Sequence, residues 1–385
     1  MYLDEPLLTL NSHQLARYLH HVGLRVVDGQ FVPITQNGDS HDNIPSLEGE
    51  KLPPPNLETL TTLKRAHVTH FTFGNVGVLY FDPELPNNDE RSRDGVPKKI
   101  NRPPPMVDLR VNLNLNDLIY KLMERNLAGF CYEQNTLFAA VLRAFNFDPL
   151  WSGSARVTTE AMGLEYGLHI PATTHMVNFW IDSEGTQYLI DVGFGSSAPL
   201  EPLPIQLNKE FHAGLPNEIY KFTLEPLSPV QTRRPKSTPL SGGRTDQGQT
   251  WMLNYTRDGL DGWQRLYAFT DEEVYHADFI NLSKAIYCVS SPAIFASNII
   301  ASRPTPDFRG RVTLINDKLK VLQDGKSVED RLIETEAERQ EILEEYFGIR
   351  LTAREIEAIG LSQLSLDTES GHRTVQVPAF PSTTN

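Results

Sequence analysis

The strongest constraint in this chain is a change of pattern at Pro149. Before it, apolar residues recur at helical spacing; after it, runs of strand-forming residues separated by turn signals take over. Leu15, Tyr18, Leu19 and Val22 form one helical stripe, ended by Gly23 and Asp28-Gly29. Asn56–Thr69 forms another, with Leu57, Leu60, Leu63 and Ala66 three apart and Pro53–Pro55 just ahead of it. Leu115–Met123 and Cys131–Phe145 read as two more helices, the second with Leu137, Phe138, Val141, Leu142 and Phe145 on one face. Segregated helices and strands point to α+β rather than to alternating βαβ units.

Beyond Pro149, Thr174–Ile181 and Thr186–Val192 flank Asp182-Ser183-Glu184-Gly185 and read as a β-hairpin. Further strands are expected at Glu218–Leu224, Thr250–Tyr255 and Gln264–Phe269. The last third is mixed. It predicts a short helix near Glu272–Ser283, strands at Arg311–Ile315 and Lys318–Leu322, a helix over Thr335–Tyr346 and another turn or two over Thr352–Ile359. Two proline-rich stretches, Asp82–Met106 and Ser228–Gln249, read as long loops, and Ser362–Asn385 as a polar, flexible tail. The resulting division is helical over 1–149, all-β over 150–289, α/β over 290–361, then the tail. At roughly 150 residues per domain, a 385-residue chain has room for two or three.

Composition removes several functions. With 35 basic and 49 acidic residues the formal charge is 35 − 49 = −14, which opposes coating of nucleic acid or an anionic membrane. Two cysteines, Cys131 and Cys288, cannot build a disulfide framework or a cysteine-rich zinc site, and no metal site is expected. Asp4 and Glu5 stand where a secretory signal carries positive charge, and no run approaches the ~18 apolar residues of a membrane span. A cytoplasmic protein is the expectation.

Free thiols are then either packing or reagents. Cys131 follows Gly129-Phe130 at the start of a predicted helix, where the macrodipole and unpaired N–H groups favour thiolate. Cys288 lies in the apolar, strand-like run Ala285–Val289 and reads as buried and inert. A cysteine nucleophile needs a base and an orienting group. His175 starts one hairpin strand and Asp191 ends the next, sixteen residues later, with Ser183 midway. Opposed or nearly opposed on one face, at a Cβ separation of about 4.5–5.5 Å for a direct pair, they could share a hydrogen bond and leave one imidazole nitrogen for a thiol. Each residue also has a purely structural reading: a small buried hydrophobe, a strand histidine bonded to backbone, a carboxylate entering a turn.

Competing motifs fail. Gly193-Phe194-Gly195-Ser196-Ser197-Ala198 fits a dinucleotide glycine pattern, but Pro199, Pro202 and Pro204 forbid the helix that must follow. His20 and His21 are adjacent and point apart on a helix, so they cannot share a metal.

Gly129-Phe130-Cys131-Tyr132-Glu133-Gln134-Asn135, Thr173-Thr174-His175-Met176 and Ile190-Asp191-Val192-Gly193-Phe194-Gly195 resemble, in order and spacing, the three catalytic motifs of the arylamine N-acetyltransferase family. Phe71–Val76 is similar to the family's early Pro-Phe-Glu-Asn-Leu segment. Ser290-Ser291-Pro292 with Phe295 resembles its motif after the barrel, and Tyr346–Leu351 its C-terminal segment. The long loops look more like fungal or other eukaryotic members than bacterial ones. The resemblance implies a helical domain carrying the cysteine, a central β-barrel carrying His and Asp, an α/β lid, and a cysteine-protease-like Cys-His-Asp arrangement. It implies ping-pong transfer from acetyl-CoA or another short acyl-CoA, as cosubstrate rather than tightly bound cofactor, to an arylamine, arylhydrazine or N-hydroxyarylamine. Cys131 would be nucleophile, His175 base and Asp191 its orienting partner. By the same matching Phe73, Phe194, Ser196 and Ala198 fall where acceptors bind, and Pro171, Ala172, Thr173 and Thr174 near where CoA enters.

The chain departs from the family pattern at two places. Leu127-Ala128 stand in place of Arg-Gly before Gly129, and Gly74 in place of the glutamate of the early motif. Loss of both members of a pair would leave no orphan charge, and Arg125 is a candidate substitute. Two other readings of the same residues stay open: a hydrolase in which water is the acceptor, and a non-catalytic binding protein on this scaffold.

Overall fold

A computed structural model describes residues 7–34, 44–80, 111–161, 172–226, 249–258, 262–288, 295, 298–360 and 364–366. The expected loop over Asp82–Met106 lies outside these residues, as do Ser228 to Gly248's position, Pro171 and Ser290-Ser291-Pro292.

The N-terminal part is helical. Helix α1 (Ser12–His21) opens with a capping box: the Asn11 side chain accepts the His13 and Gln14 N–H groups while Gln14 bonds back to the Asn11 N–H. A short ribbon, β1 (Leu24–Val27) and β2 (Gln30–Pro33), follows. Helix α2 (Leu57–His70) is capped by Asn56 and leads into the two-residue strand β3 (Phe73–Gly74) and the short α3 (Val76–Leu79). Helix α4 (Leu115–Leu118) continues into a π-helical turn over Ile119–Glu124, and α5 (Cys131–Ala144) starts at the cysteine. These helices close over a shared core of Tyr18, Leu60, Leu63, Leu137, Phe138 and Val141.

Eight antiparallel strands follow: β4 (Leu150–Val157), β5 (His175–Ile181), β6 (Gln187–Ile190), β7 (Leu203–Pro204), β8 (Glu210–Phe211), β9 (Glu218–Pro226), β10 (Gln249–Arg257) and β11 (Gln264–Phe269). Their order is β7-β6-β5-β4-β11-β10-β9-β8. The segment joining β7 to β8 runs from one sheet edge to the other: the Ile205 N–H bonds the Gln187 carbonyl, and the Asn208 N–H bonds the Phe222 carbonyl. The sheet is thereby a nearly closed barrel around Val177, Phe179, Leu189, Phe222, Leu253, Tyr267 and Phe269. Strand β5 is buried from His175 to Trp180, so both faces are covered. Val177 and Phe179 belong to the barrel core, whereas Trp180 belongs to the helical core, joined by Tyr188 and Ile190 of β6.

Helix α6 (His276–Cys288) follows β11. Its helical backbone corrects the strand-like reading of Ala285–Cys288: a short apolar run does not by its pattern distinguish a buried helix from a strand. A second sheet has the order β15-β14-β13-β12-β3, built from β12 (Ile300–Pro304), β13 (Gly310–Ile315), β14 (Lys318–Gln323) and β15 (Lys326–Leu332), with β3 at its edge. Ser302 pairs with Phe73 and Ala301 with Gly74, so the N-terminal part contributes a strand to the C-terminal sheet. Helix α7 (Glu336–Phe347), capped by Thr335 and ended by left-handed Gly348, and helix α8 (Ala353–Gly360) are the last helices among the described residues. In the stretch read as a tail, Leu366 is buried in the C-terminal core and the Leu364 carbonyl accepts from Arg339 at 2.8 Å; residues 361–363 and 367–385 lie outside those described. The α+β class expected from the sequence is the class observed.

Candidate active site

Cys131 is the first residue of α5 and is buried. The preceding loop is fixed from several sides. The Gly129 N–H bonds the Thr72 carbonyl, the Gly129 carbonyl accepts from the Gly74 N–H, and the Gln134 amide reaches the Thr72 carbonyl at 2.9 Å. Phe130 has no polar side chain with which to cap the helix; instead its N–H is taken by the Glu133 carboxylate at 3.2 Å. The thiol therefore sits at the positive end of a 14-residue helix.

Strand β5 begins at His175, and Asp191 follows the last residue of β6. The observed register pairs Asn178 with Ile190. Continued by one step it sets Asp191 beside Val177, making His175 its diagonal neighbour on the same face. The turn is one residue later than the midpoint taken from the sequence, because Gly185 adopts a φ of +84° and the loop closes between Asp182 and Thr186. A diagonal neighbour is within reach of an imidazole, and His175 Nε2 lies 2.7 Å from Asp191 Oδ2. That bond leaves Nδ1 for the thiol, which is one of the groups that raise the imidazole. The Cys131 Sγ also lies 3.7 Å from the Thr174 carbonyl oxygen.

Asp191 is fully buried yet well provided with donors. Tyr267 Oη donates to Oδ2 at 3.0 Å, while Asn135 Nδ2 and the Gly193 N–H donate to Oδ1 at 3.1 and 2.9 Å. Burial alone would raise its carboxyl; His175 and these donors outweigh that and hold it below the usual carboxylate range. For His175, burial alone would lower the imidazole. The charge and hydrogen bond of Asp191, then the thiol, push it up to about 10.

Asn135 joins the two structural halves. It stands one turn after Cys131 on the same face of α5. Besides Asp191 it donates to the Met176 carbonyl at 2.8 Å and accepts from the Val192 N–H at 3.1 Å. Asn178 of β5 returns a bond to the Asn135 carbonyl at 3.0 Å.

The thiol lies in an aromatic and apolar cluster with Phe130, Tyr132, Met176 and Phe279, against which Phe73 and Phe295 pack. Phe295 stands 6.1 Å from both Phe73 and Phe130, centroid to centroid. Phe194 meets His175 edge-on at 5.2 Å. Phe73 and Phe194 are half-buried, and a Cβ on Gly195 would fall 2.7 Å from the Phe73 ring. Ser196 lies in a three-residue 3-10 turn and its buried hydroxyl has no hydrogen-bond partner among the described residues; Ala198 is buried. After that turn the chain is extended at Ala198, so the glycine pattern here opens no helix. Ala172 is exposed, and Thr173 and Thr174 are half-buried at the mouth of β5. Among the described residues, no group of three or more His, Cys, Asp and Glu side chains could hold a metal ion, and no helix is long and apolar enough to cross a membrane.

Sequence reasoning missed three contributors. Asn135 had a usable signal in its four-residue spacing from Cys131. Tyr267 had none, because its approach depends on the strand order β5-β4-β11. The third is Lys121, whose Nζ lies 2.6 Å from the buried Glu133. Arg125 does not supply that charge: its Nη2 donates to both Glu355 carboxylate oxygens, at 3.0 and 2.9 Å. Gly74 has no room for the side chain missing from the early motif, since a Cβ there would lie 2.0 Å from the Ile300 carbonyl oxygen.

Residues 105–356 match the N-acetyltransferase family. The chain is 26% identical over 259 residues to the N-malonyltransferase FDB2 of Fusarium pseudograminearum, covering 64% of this chain and 72% of that one. It is 24% identical over 311 residues to the arylamine N-acetyltransferase / N-hydroxyarylamine O-acetyltransferase of Salmonella typhimurium, covering 80% and 88%. In fold it is similar to the arylamine N-acetyltransferase of Nocardia farcinica, with a TM-score of 0.63 at 23% identity over 93% of this chain and 98% of that one. It is similar also to the Mycobacterium marinum enzyme solved in complex with CoA, with a TM-score of 0.58 at 23% identity over 80% and 93%.

Proposed function

Taking as premise that this chain belongs to the N-acetyltransferase family, we propose that it moves a short acyl group from an acyl-CoA to an arylamine, arylhydrazine or N-hydroxyarylamine, through an acyl-Cys131 intermediate. The observation that carries the reading is the buried thiol at a helix start facing an imidazole bonded to Asp191.

In the first half-reaction the Cys131 sulfur attacks the thioester carbonyl while His175 holds the thiol's proton. The tetrahedral oxyanion collapses, the carbon–sulfur bond to CoA breaks, and the leaving thiolate takes the proton from the imidazolium. In the second, the amine nitrogen attacks the acyl-cysteine, His175 removes its proton, and Cys131 leaves as the new amide forms. Asp191 keeps the imidazole oriented in both directions. The aromatic groups around the thiol suit a planar acceptor and exclude water, which favours aminolysis over hydrolysis. A cytoplasmic location, where acyl-CoA is available, belongs to the same reading. The fungal N-malonyltransferases among the relatives make malonyl-CoA a donor to test beside acetyl- and propionyl-CoA.

The test is CoA release with each donor, with and without an arylamine, combined with intact-protein mass. The expected result is one acyl group on the wild type and none on Cys131→Ala, with sustained release only when amine is present. Release that ignores the amine would identify a hydrolase. No release and no adduct with any donor would remove both enzymatic readings.

A further inference from the structure

Resting on the acyl-Cys131 reading, we propose that Lys121 is a positioning residue for the nucleophile, acting through Glu133 on the peptide between Gly129 and Phe130, which leads into the cysteine's helix. Glu133 is fully buried at the third position of α5, two residues after the thiol. One carboxylate oxygen accepts the Phe130 N–H at 3.2 Å, and the other meets Lys121 Nζ at 2.6 Å. Burial outweighs its neighbours and leaves this carboxyl above its ordinary range; Lys121, with help from the Phe130 N–H, is the charge that holds it down toward the carboxylate form. A carboxylate is a stronger acceptor than a protonated carboxyl. Lys121 thus determines how firmly the Phe130 N–H is held.

Phe130 is the link that most needs holding. Gly129 on one side is fixed by main-chain bonds to Thr72 and Gly74, and Cys131 on the other is already helical. The Gly129–Phe130 peptide, its carbonyl held by the Gly74 N–H and its own N–H by Glu133, sets how the chain enters the helix and so where the sulfur points.

Lys121 is placed for this by two features of its surroundings. It lies in the π-helical turn over Ile119–Glu124, and its own carbonyl accepts the Leu127 N–H at 3.0 Å, tying the nucleophile loop to the turn through main chain as well. Such turns occur often at functional sites. Its side chain passes through a slot left by Gly77, where a Cβ would stand 2.9 Å from Lys121 Cε. Arg125, the other nearby cation, is committed to Glu355.

The test is rapid-mixing measurement of CoA release in the first turnover, using whichever acyl-CoA the wild type accepts. Lys121→Met is expected to slow acylation on the order of 10²-fold, the scale of a misplaced reacting group, with little change in the KM for acyl-CoA. Lys121→Arg, which keeps the charge, falls far less. The double variant Lys121→Met/Glu133→Gln recovers much of the rate, because a glutamine carbonyl accepts the Phe130 N–H without a buried charge. A Lys121→Met enzyme that acylates at the wild-type rate overturns the assignment, as does a double variant no faster than the single one. Failure of the wild type itself to form an acyl-enzyme would instead overturn the function it rests on.

Discussion

The peptide after Asp191 lies directly against the start of the nucleophile's helix: a Cβ on Gly193 would stand 2.6 Å from the Cα of Cys131 and 2.8 Å from Asn135 Nδ2. The nearest obstacle is backbone, so it cannot swing away. Gly193→Ala must separate the hairpin from α5, and with it His175 from the thiol. We expect a stability loss of about 1–3 kcal/mol, the usual scale of overpacking, and a much larger fall in acyl transfer. Thermal melting beside first-turnover CoA release checks both; an alanine variant with wild-type turnover would show that the close approach has no bearing on the chemistry.

Replacing Asp191 by Asn tests the electrostatics of the pair. His175 is raised from an ordinary 6.5 to about 10, so its contribution to stability is fully present below 6.5 and is lost as pH rises through about 10. Asp191 is lowered, so its contribution is present above its ordinary 3.8 and is lost as pH falls through its folded value. The stability difference between wild type and Asp191→Asn should therefore be greatest between about pH 4 and pH 6.5 and shrink on both sides. Melting temperatures across pH measure it, and a pH-independent difference would contradict it. Without the carboxylate, burial lowers the imidazole and nothing fixes its tautomer, so acyl transfer should drop by about 10³–10⁴-fold.

The contrast between His175 and Tyr267 shows how much of this site can be read from sequence. His175 and Asp191 share one hairpin, and their same-face placement follows from alternation along strands, even though Gly185 moves the turn by a residue. Tyr267 reaches Asp191 only because β11 lies two strands from β5, and no local pattern encodes that order. The same limit applies to the fold. The α1, α2 and α5 helices follow from apolar periodicity and terminal residues, and the ends of α2 and α5 move by a single residue. The pairing of Phe73-Gly74 with Ala301-Ser302 joins distant segments through main-chain bonds, which any side chains could make. Ala285–Val289 is apolar throughout, so its pattern reads as a strand, whereas the backbone over His276–Cys288 is helical and buries Phe279 and Ile286 on one face.

Leu127→Arg puts the departure from the family pattern to the test. Leu127 is buried in the C-terminal cluster with Val76, Tyr80 and Phe347, and it flanks Lys121 across the slot at Gly77. An arginine here adds a second buried cation beside Lys121. Gly74 cannot accommodate an acidic partner, and Glu133 is already paired. An unpaired buried charge costs about 3–5 kcal/mol, so the melting temperature should fall clearly. An unchanged or raised value would mean that the leucine is not the compensating half of a joint replacement.

A buried ion pair couples the barrel to the second sheet, and losing its arginine alone should cost more than losing both charges. Arg311 of β13 donates to Glu218 at the start of β9 at 2.9 and 3.4 Å, and both side chains are buried. Glu218 also accepts from Tyr255 at 2.9 Å and from the Leu215 N–H at 2.9 Å. Burial opposes ionisation of Glu218, but Arg311 and these donors hold its carboxyl below the usual range. Arg311→Met leaves that carboxylate uncompensated and should cost about 3–5 kcal/mol, whereas Arg311→Met/Glu218→Gln removes both charges and should recover most of it. Because the Glu218 pKa is lowered, the wild-type pair stabilises above the ordinary 4.5 and weakens as pH falls through the folded value. The gap between wild type and Arg311→Met should therefore narrow in acid. Denaturant melts at neutral and acidic pH decide it: a double variant as unstable as the single one would mean that the arginine acts through packing and not through its charge.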